Sequence, residues 1–167
     1  LIYTVGVPSD RVERVSAPAS KERIEEALDR AAGLVGPEGT LWVYFAGHGA
    51  ASPSSGARVL LGADTLADAA SFEARSIAIP DLKGRLQGAG ARTVLMVDAC
   101  YSGASRGGSD LLPGKRFAVP SYAVPDDAGW IEWHAAQPDQ LSGPLEVAQH
   151  GAFTWAMVGA LRGWHRS

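Results

Sequence analysis

Apolar positions recur along this chain with two periods, and each period predicts an element. Over residues 20–35 (SKERIEEALDRAAGLV), Ile24, Leu28, Ala31 and Val35 fall at i, i+4, i+7 and i+11, one stripe of a helix. Glu25, Glu26 and Arg30 are left to face water. Ser20 is placed as the N-cap, Glu22 sits in the favourable first turn, and Gly36-Pro37 stops the helix. Upstream, residues 11–15 (RVERV) alternate as a short strand does. Residues 40–46 carry a continuous apolar run of Leu41, Trp42, Val43, Tyr44 and Phe45. The run is too short for a helix and rich in β formers, so it reads as a buried strand of a mostly parallel sheet.

That strand breaks at Gly47-His48-Gly49. Residues 50–57 (AASPSSGA) have loop composition, 58–61 make a small strand, and 62–72 carry no single pattern. Asp81 is placed as the cap of a short helix bearing Leu82 and Leu86, which Gly84 and Gly88 weaken. A second buried run, residues 93–98 (TVLMVD), leads into Ala99-Cys100-Tyr101-Ser102-Gly103. Residues 103–117 are glycine-rich and basic, an exposed stretch open to nicking. Residues 130–136 read as a third strand, and 151–161 as a helix with Phe153, Met157 and Leu161 on one stripe.

Alternating strands and helices imply an α/β layer domain, and such sheets gather their chemistry at the C-terminal ends of parallel strands. Both strands that stop abruptly do so just before reactive residues, His48 and Cys100. If the two strands are neighbours, imidazole and thiol face one crevice, which suits a nucleophile beside its base. Gly47 and Gly49 let the backbone turn sharply around His48 and approach a ligand. The N–H groups of Gly49 and Cys100 are then candidates for an oxyanion hole. His134 and His150 are weaker candidates for the base, because neither is assigned next to the cysteine strand. Gly103-Ala104-Ser105-Arg106-Gly107 matches the serine-hydrolase pattern, but that elbow needs its serine directly at a strand-to-helix turn, and Ser105 lies beyond it.

Composition narrows the picture. The 167 residues suffice for one domain with a real core, and 46% apolar with 20% charged residues describes an ordinary globular chain. The net charge of -3, without a basic run, argues against a nucleic-acid or anionic-membrane partner. No apolar stretch reaches the roughly 20 residues that cross a bilayer. Cys100 is the only cysteine, so an intrachain disulfide and Cys-based zinc sites are excluded, and a reducing, cytoplasmic setting is expected. No P-loop, dinucleotide fingerprint, metalloprotease or EF-hand pattern occurs, so no metal and no cofactor are expected. Without a signal peptide or an initiator methionine, the chain reads as a piece of a longer protein.

YFAGHG at 44–49 and DACYSG at 98–103 resemble the histidine and cysteine signatures of the caspase-like cysteine proteases, a clan of caspases, metacaspases and bacterial relatives. His48 and Cys100 stand 52 positions apart, against about 50 in the caspase pattern. Asp98 replaces the caspase glutamine, and Tyr101-Ser102-Gly103 replaces the short caspase ending, which turns the match toward the metacaspase and bacterial branch. The resemblance covers most of the chain, with 130–167 similar to the small subunit. It implies a three-layer α/β/α sandwich with a mostly parallel sheet. The family's first, central strand is missing from this chain and expected upstream; its absence would expose two unpaired edges.

The resemblance also implies a cysteine endopeptidase of zymogen type, in which Cys100 attacks, His48 moves the proton, and the Gly49 and Cys100 amides hold the oxyanion. The family places the residue two before the cysteine in the S1 pocket. Asp98 would there select a cationic P1 side chain, arginine before lysine. Ala46 is small enough to line the same pocket, and Asp139 could add a second acidic wall. Arg106, Lys115 and Arg116 then become candidate self-cleavage points. Other roles stand beside these: Asp98 holding the loop after its strand, Asp139 as a surface-loop residue, and Trp133 as packing or as the edge of a substrate groove. Some metacaspase relatives need calcium, and the sequence neither shows nor excludes a weak acidic site. The implied partners are a protein or peptide substrate and the upstream remainder or regulatory domains of the same protein. The competing function is an inactive caspase-like module serving as a scaffold, against which the intact set of His48, Gly49, Asp98 and Cys100 speaks.

Overall fold

The computed structural model describes residues 2–99, 101, 127–135, 144–145 and 150–164. The chain opens with a single turn of helix, α1 (Ile2–Val5), and a 3-10 turn at Ser9–Arg11. The amphipathic stretch then forms α2 (Lys21–Gly33), capped by Ser20, whose Oγ accepts the Arg23 N–H at 3.4 Å. The apolar run is β1 (Thr40–Ala46), followed after one residue by β2 (His48–Ala51) and then β3 (Arg58–Leu61). The unassigned stretch turns into α3 (Ala69–Arg75), capped by Asp68, and runs through β4 (Ser76–Ala78) into α4 (Ile79–Leu86). After β5 (Arg92–Asp98) and β6 (Trp130–His134) come two short strands, β7 (Pro144–Leu145) and β8 (His150–Gly151), and finally α5 (Ala152–Leu161).

Three strands make the parallel sheet, in the order β1-β5-β6. Its register runs from Thr40↔Arg92 to Ala46↔Asp98, and from Thr93↔Trp130 to Val97↔His134. β2, β3 and β4 form a separate antiparallel sheet. The strand pleat sends alternate side chains to opposite faces. Leu41, Val43, Phe45, Leu95 and Val97 join one cluster with Ile24, Leu28 and Ala31 of α2 and Leu82 and Leu86 of α4. On the other face Tyr44 and Asp98 reach Thr154 of α5. The domain is therefore the expected α/β sandwich with a mostly parallel sheet. The turn into β1 is tight: Gly90 holds φ +75 and bridges Thr40, and a Cβ there would meet the Gly39 carbonyl oxygen at 2.6 Å.

Two local expectations need correction. Residues 11–15 form no strand; Arg11 closes the 3-10 turn and Val12 is extended (φ -105, ψ 105), but alternation supplies only a face, and a strand also needs a ladder partner. Instead a groove of about 790 Å³ runs between this segment and β1, lined by Val12, Val15, Leu34, Val35 and Trp42. Among the described residues the edge of β1 away from β5 carries no strand. Asp81 does not cap α4 either. Ala78 is the N-cap and Pro80 sits in the first turn, where its missing N–H costs nothing, so Asp81 falls inside the helix. Gly84 is tolerated because burial of Ile79, Leu82 and Leu86, each worth about 1.5–3 kcal/mol, outweighs a glycine penalty of about 1 kcal/mol.

Outside the core, arginine clamps tie the helices together. Arg75 reaches across to Glu22 at 2.6 Å and to Asp64, and Arg85 makes two 2.7 Å bonds to Asp29. These groups lie near the surface, where solvent screens them, so each pair adds little to stability.

Candidate active site

The parallel register sets the geometry of the site. Ala46 and Asp98 are partners at the C-terminal ends of adjacent strands. Gly47 begins the departure from β1, its N–H donating to the Asp98 carbonyl at 3.3 Å. His48 then opens β2 with its side chain exposed, opposite Leu61. Gly49 is buried opposite Leu60. The loop after this hairpin strand is pinned by Glu73, which accepts the Ser54 N–H at 2.8 Å and the Ser52 hydroxyl at 3.1 Å. The histidine thus opens the edge strand of a three-stranded antiparallel support at the parallel sheet's C-terminal end.

Asp98 is only 2% exposed. One carboxyl oxygen accepts the Thr154 hydroxyl proton, and Thr154 in turn lies 2.7 Å from the Tyr44 hydroxyl. Gly151 closes over the same carboxyl: a Cβ there would stand 2.7 Å from the carboxyl carbon. The start of α5 therefore packs on the Asp98 side chain as no residue larger than glycine would permit.

On the other side of Cys100, Tyr101 is wholly buried. Its hydroxyl lies 3.0 Å from His134 Nδ1, and His134 Nε2 lies 2.8 Å from a Glu132 carboxyl oxygen. The second Glu132 oxygen accepts the Trp130 indole N–H at 2.6 Å. Burial alone would raise the Glu132 pKa, but the bonds from His134 and Trp130 and the nearby charges outweigh it and hold the carboxyl below its usual range. An ionised carboxylate only accepts, so Nε2 carries a proton; in the neutral ring Nδ1 is then the acceptor and Tyr101 the donor. Burial pushes the Tyr101 hydroxyl far up, so it stays neutral. The Arg58 guanidinium of β3 lies 5.5 Å from the Tyr101 ring centroid.

The sequence placed His134 away from the cysteine strand. That assignment is corrected: β6 pairs directly with β5, and His134 stands opposite Val97. Of the sequence-identified site residues, His48, Gly49, Ala46 and Asp98 come together at one end of the sheet. Cys100, Asp139, Arg106, Lys115 and Arg116 lie outside the described residues, as do Ser105 and the whole 103–117 stretch. Trp133 is 39% exposed on β6. Sequence reasoning missed Thr154, Glu132 and the partnership of Tyr101 with His134. The one available signal was the Glu132-x-His134 spacing, which places both side chains on one face of a strand.

Among the described residues, no group of three or more His, Cys, Asp or Glu side chains is arranged to hold a metal ion. No described helix is long and apolar enough to cross a membrane. A family model for the caspase domain matches residues 7–167. No curated protein matches the chain.

Proposed function

Since the chain belongs to the caspase-domain family, a family of cysteine peptidases, we propose that it hydrolyses peptide bonds through a Cys100–His48 dyad, after basic P1 residues. The observation that carries the reading is the in-register pair Ala46↔Asp98 on adjacent parallel strands. In the sequence His48 follows Ala46 by two residues and Cys100 follows Asp98 by two, and Ala46 and Asp98 end neighbouring strands at the same level.

In this mechanism the Cys100 thiolate attacks the scissile carbonyl carbon, and the carbonyl oxygen takes up the negative charge against the Gly49 and Cys100 amides. The tetrahedral intermediate collapses as the C–N bond breaks, and the His48 imidazolium gives its proton to the leaving amine. His48 then removes a proton from water, which attacks the thioester, releasing the acid and restoring the thiol. The chemistry needs no metal or cofactor. Asp98, with Ala46 beside it, supplies the acidic wall for a P1 arginine or lysine, and Asp139 adds to that wall. The same preference makes the bonds after Arg106, Lys115 and Arg116 targets of self-processing in a cytoplasmic zymogen, whose substrates are proteins or peptides.

The test is hydrolysis of fluorogenic peptides with Arg, Lys, Asn or Asp at P1, with and without calcium, beside Cys100→Ala. Cleavage after Arg or Lys that disappears in the variant supports the reading. Cleavage confined to Asp or Asn would keep the peptidase and remove Asp98 from the pocket. No turnover by the folded, processed protein would favour a scaffold role.

A further inference from the structure

The residue that follows the nucleophile in sequence is the most thoroughly held side chain near the site. Tyr101 is wholly buried, bonded through its hydroxyl to His134 at 3.0 Å, and tilted at 60° to that ring with centroids 5.6 Å apart. His134 is fixed in turn by Glu132 at 2.8 Å, and Glu132 by Trp130 at 2.6 Å. The His134 and Glu132 side chains are only 10% and 11% exposed. The Tyr101 ring also meets Arg58, which pairs with Ala51 across the hairpin that begins at His48. Tyr101 therefore touches both supports of the site, the third strand of the parallel sheet and the hairpin that carries the histidine. A buried tyrosine satisfies its hydroxyl with any single partner; a four-member chain ending on an indole goes further and fixes the ring's position.

We propose that Tyr101 is a positioning residue for Cys100, and that His134 and Glu132 act through it to set the nucleophile's backbone against His48. Peptide geometry gives the physical link, because Tyr101 is the next residue in the chain and consecutive Cα atoms stand about 3.8 Å apart. Displacement of reacting groups by about 1 Å costs on the order of 100-fold in rate, so loosening the anchor is felt in the chemical step before it is felt in binding. The proposal rests on the peptidase reading for its kinetic consequence, but not for its effect on the thiol.

The experiment compares Tyr101→Phe, Glu132→Gln and the double variant with the wild-type chain, each confirmed as folded by near-ultraviolet circular dichroism. Cys100 is the only cysteine, so its alkylation rate by iodoacetamide, read by mass spectrometry, reports the thiol directly. Tyr101→Phe keeps the ring and its contact with Arg58 and removes only the hydroxyl. The expected result is a kcat lower by about 10-fold with KM within about 2-fold, a parallel fall in alkylation rate, and little further loss in the double variant. Wild-type kcat and wild-type alkylation in a folded Tyr101→Phe would overturn the proposal, as would fully multiplicative losses in the double variant. If Tyr101→Phe does not fold, Glu132→Gln alone carries the same two readouts. Slowed alkylation in the variants beside a wild type that cleaves no peptide would refute the peptidase reading and leave the positioning role standing.

Discussion

Two hydrogen-bonded chains leave the cysteine segment in opposite directions, one from Asp98 and one from Tyr101, and they are built differently. The Asp98 chain crosses to a helix: Thr154 bonds the carboxyl, and Tyr44, 42% exposed, bonds Thr154. It is short and ends in solvent. The Tyr101 chain runs along the neighbouring strand through His134 and Glu132 to Trp130, which is only 6% exposed. It begins and ends inside the protein. Water can replace Tyr44 at the exposed end of the first chain, whereas a partner lost from the second leaves a buried polar atom unpaired, at about 1–3 kcal/mol. The first chain is open at one end, and the second is closed at both.

The sharpest way to break this contrast is at the one rigid point of the Asp98 side, Gly151. In Gly151→Ala the new methyl would meet a carboxyl that is 2% exposed and has nowhere to retreat. Overpacking of that kind costs about 1–3 kcal/mol, and urea unfolding should show it. The matched control is Gly159→Ala, whose Cβ would press on the Trp164 ring, which is 52% exposed and meets only the edge of Trp155 among the described rings. There the loss should stay below about 1 kcal/mol, helped by alanine's better helix propensity. Equal losses would mean that Asp98 is not closed over by α5.

Much of this was legible in the sequence wherever a pattern was long and local. α2 followed from a stripe over about three turns with a serine before it, and β1 and β5 from apolar runs that could hardly be anything else. β2 and β4 were not legible, because His-Gly-Ala-Ala and Ser-Ile-Ala carry no periodic signal and exist only by pairing with β3. Residues 11–15 failed the other way, with a strand-like pattern and no ladder. At the site, His48 and Gly49 drew attention because they stand at a break in a strong pattern, and Asp98 because of its place two before the cysteine in the family resemblance. The Tyr101–His134 contact was hidden because it depends on which strand lies beside β5, and nothing within either segment encodes that adjacency.

The Tyr101 chain can be tested from its far end by pH. Glu132 has its carboxyl pKa depressed below the ordinary 4.5, so its contribution to stability is fully present above that value and is lost as pH falls through the folded pKa. Glu132→Gln should therefore cost about 1.5–3 kcal/mol near neutrality, the worth of hydrogen bonds to a charged group. The gap between variant and wild type should close as pH drops below 4.5. Urea midpoints across that range provide the measurement. A gap that persists unchanged into acid would show that the glutamate holds His134 by shape rather than by charge.

The smallest expected effect lies at the solvent end of the Asp98 chain. Thr154 has one hydroxyl proton and gives it to Asp98, so at 2.7 Å Tyr44 must be donating to Thr154. Tyr44→Phe removes that donor while leaving the threonine's own bond intact, and the ring is exposed enough for water to take the vacated place. The loss should be within about 0.5 kcal/mol, the range of surface substitutions, with Thr154→Val costing more because it removes a bond to a buried carboxyl. A Tyr44→Phe loss above about 1 kcal/mol would mean that this chain is as closed to water as the one at Tyr101, and the distinction between an open-ended chain and a closed one would fail.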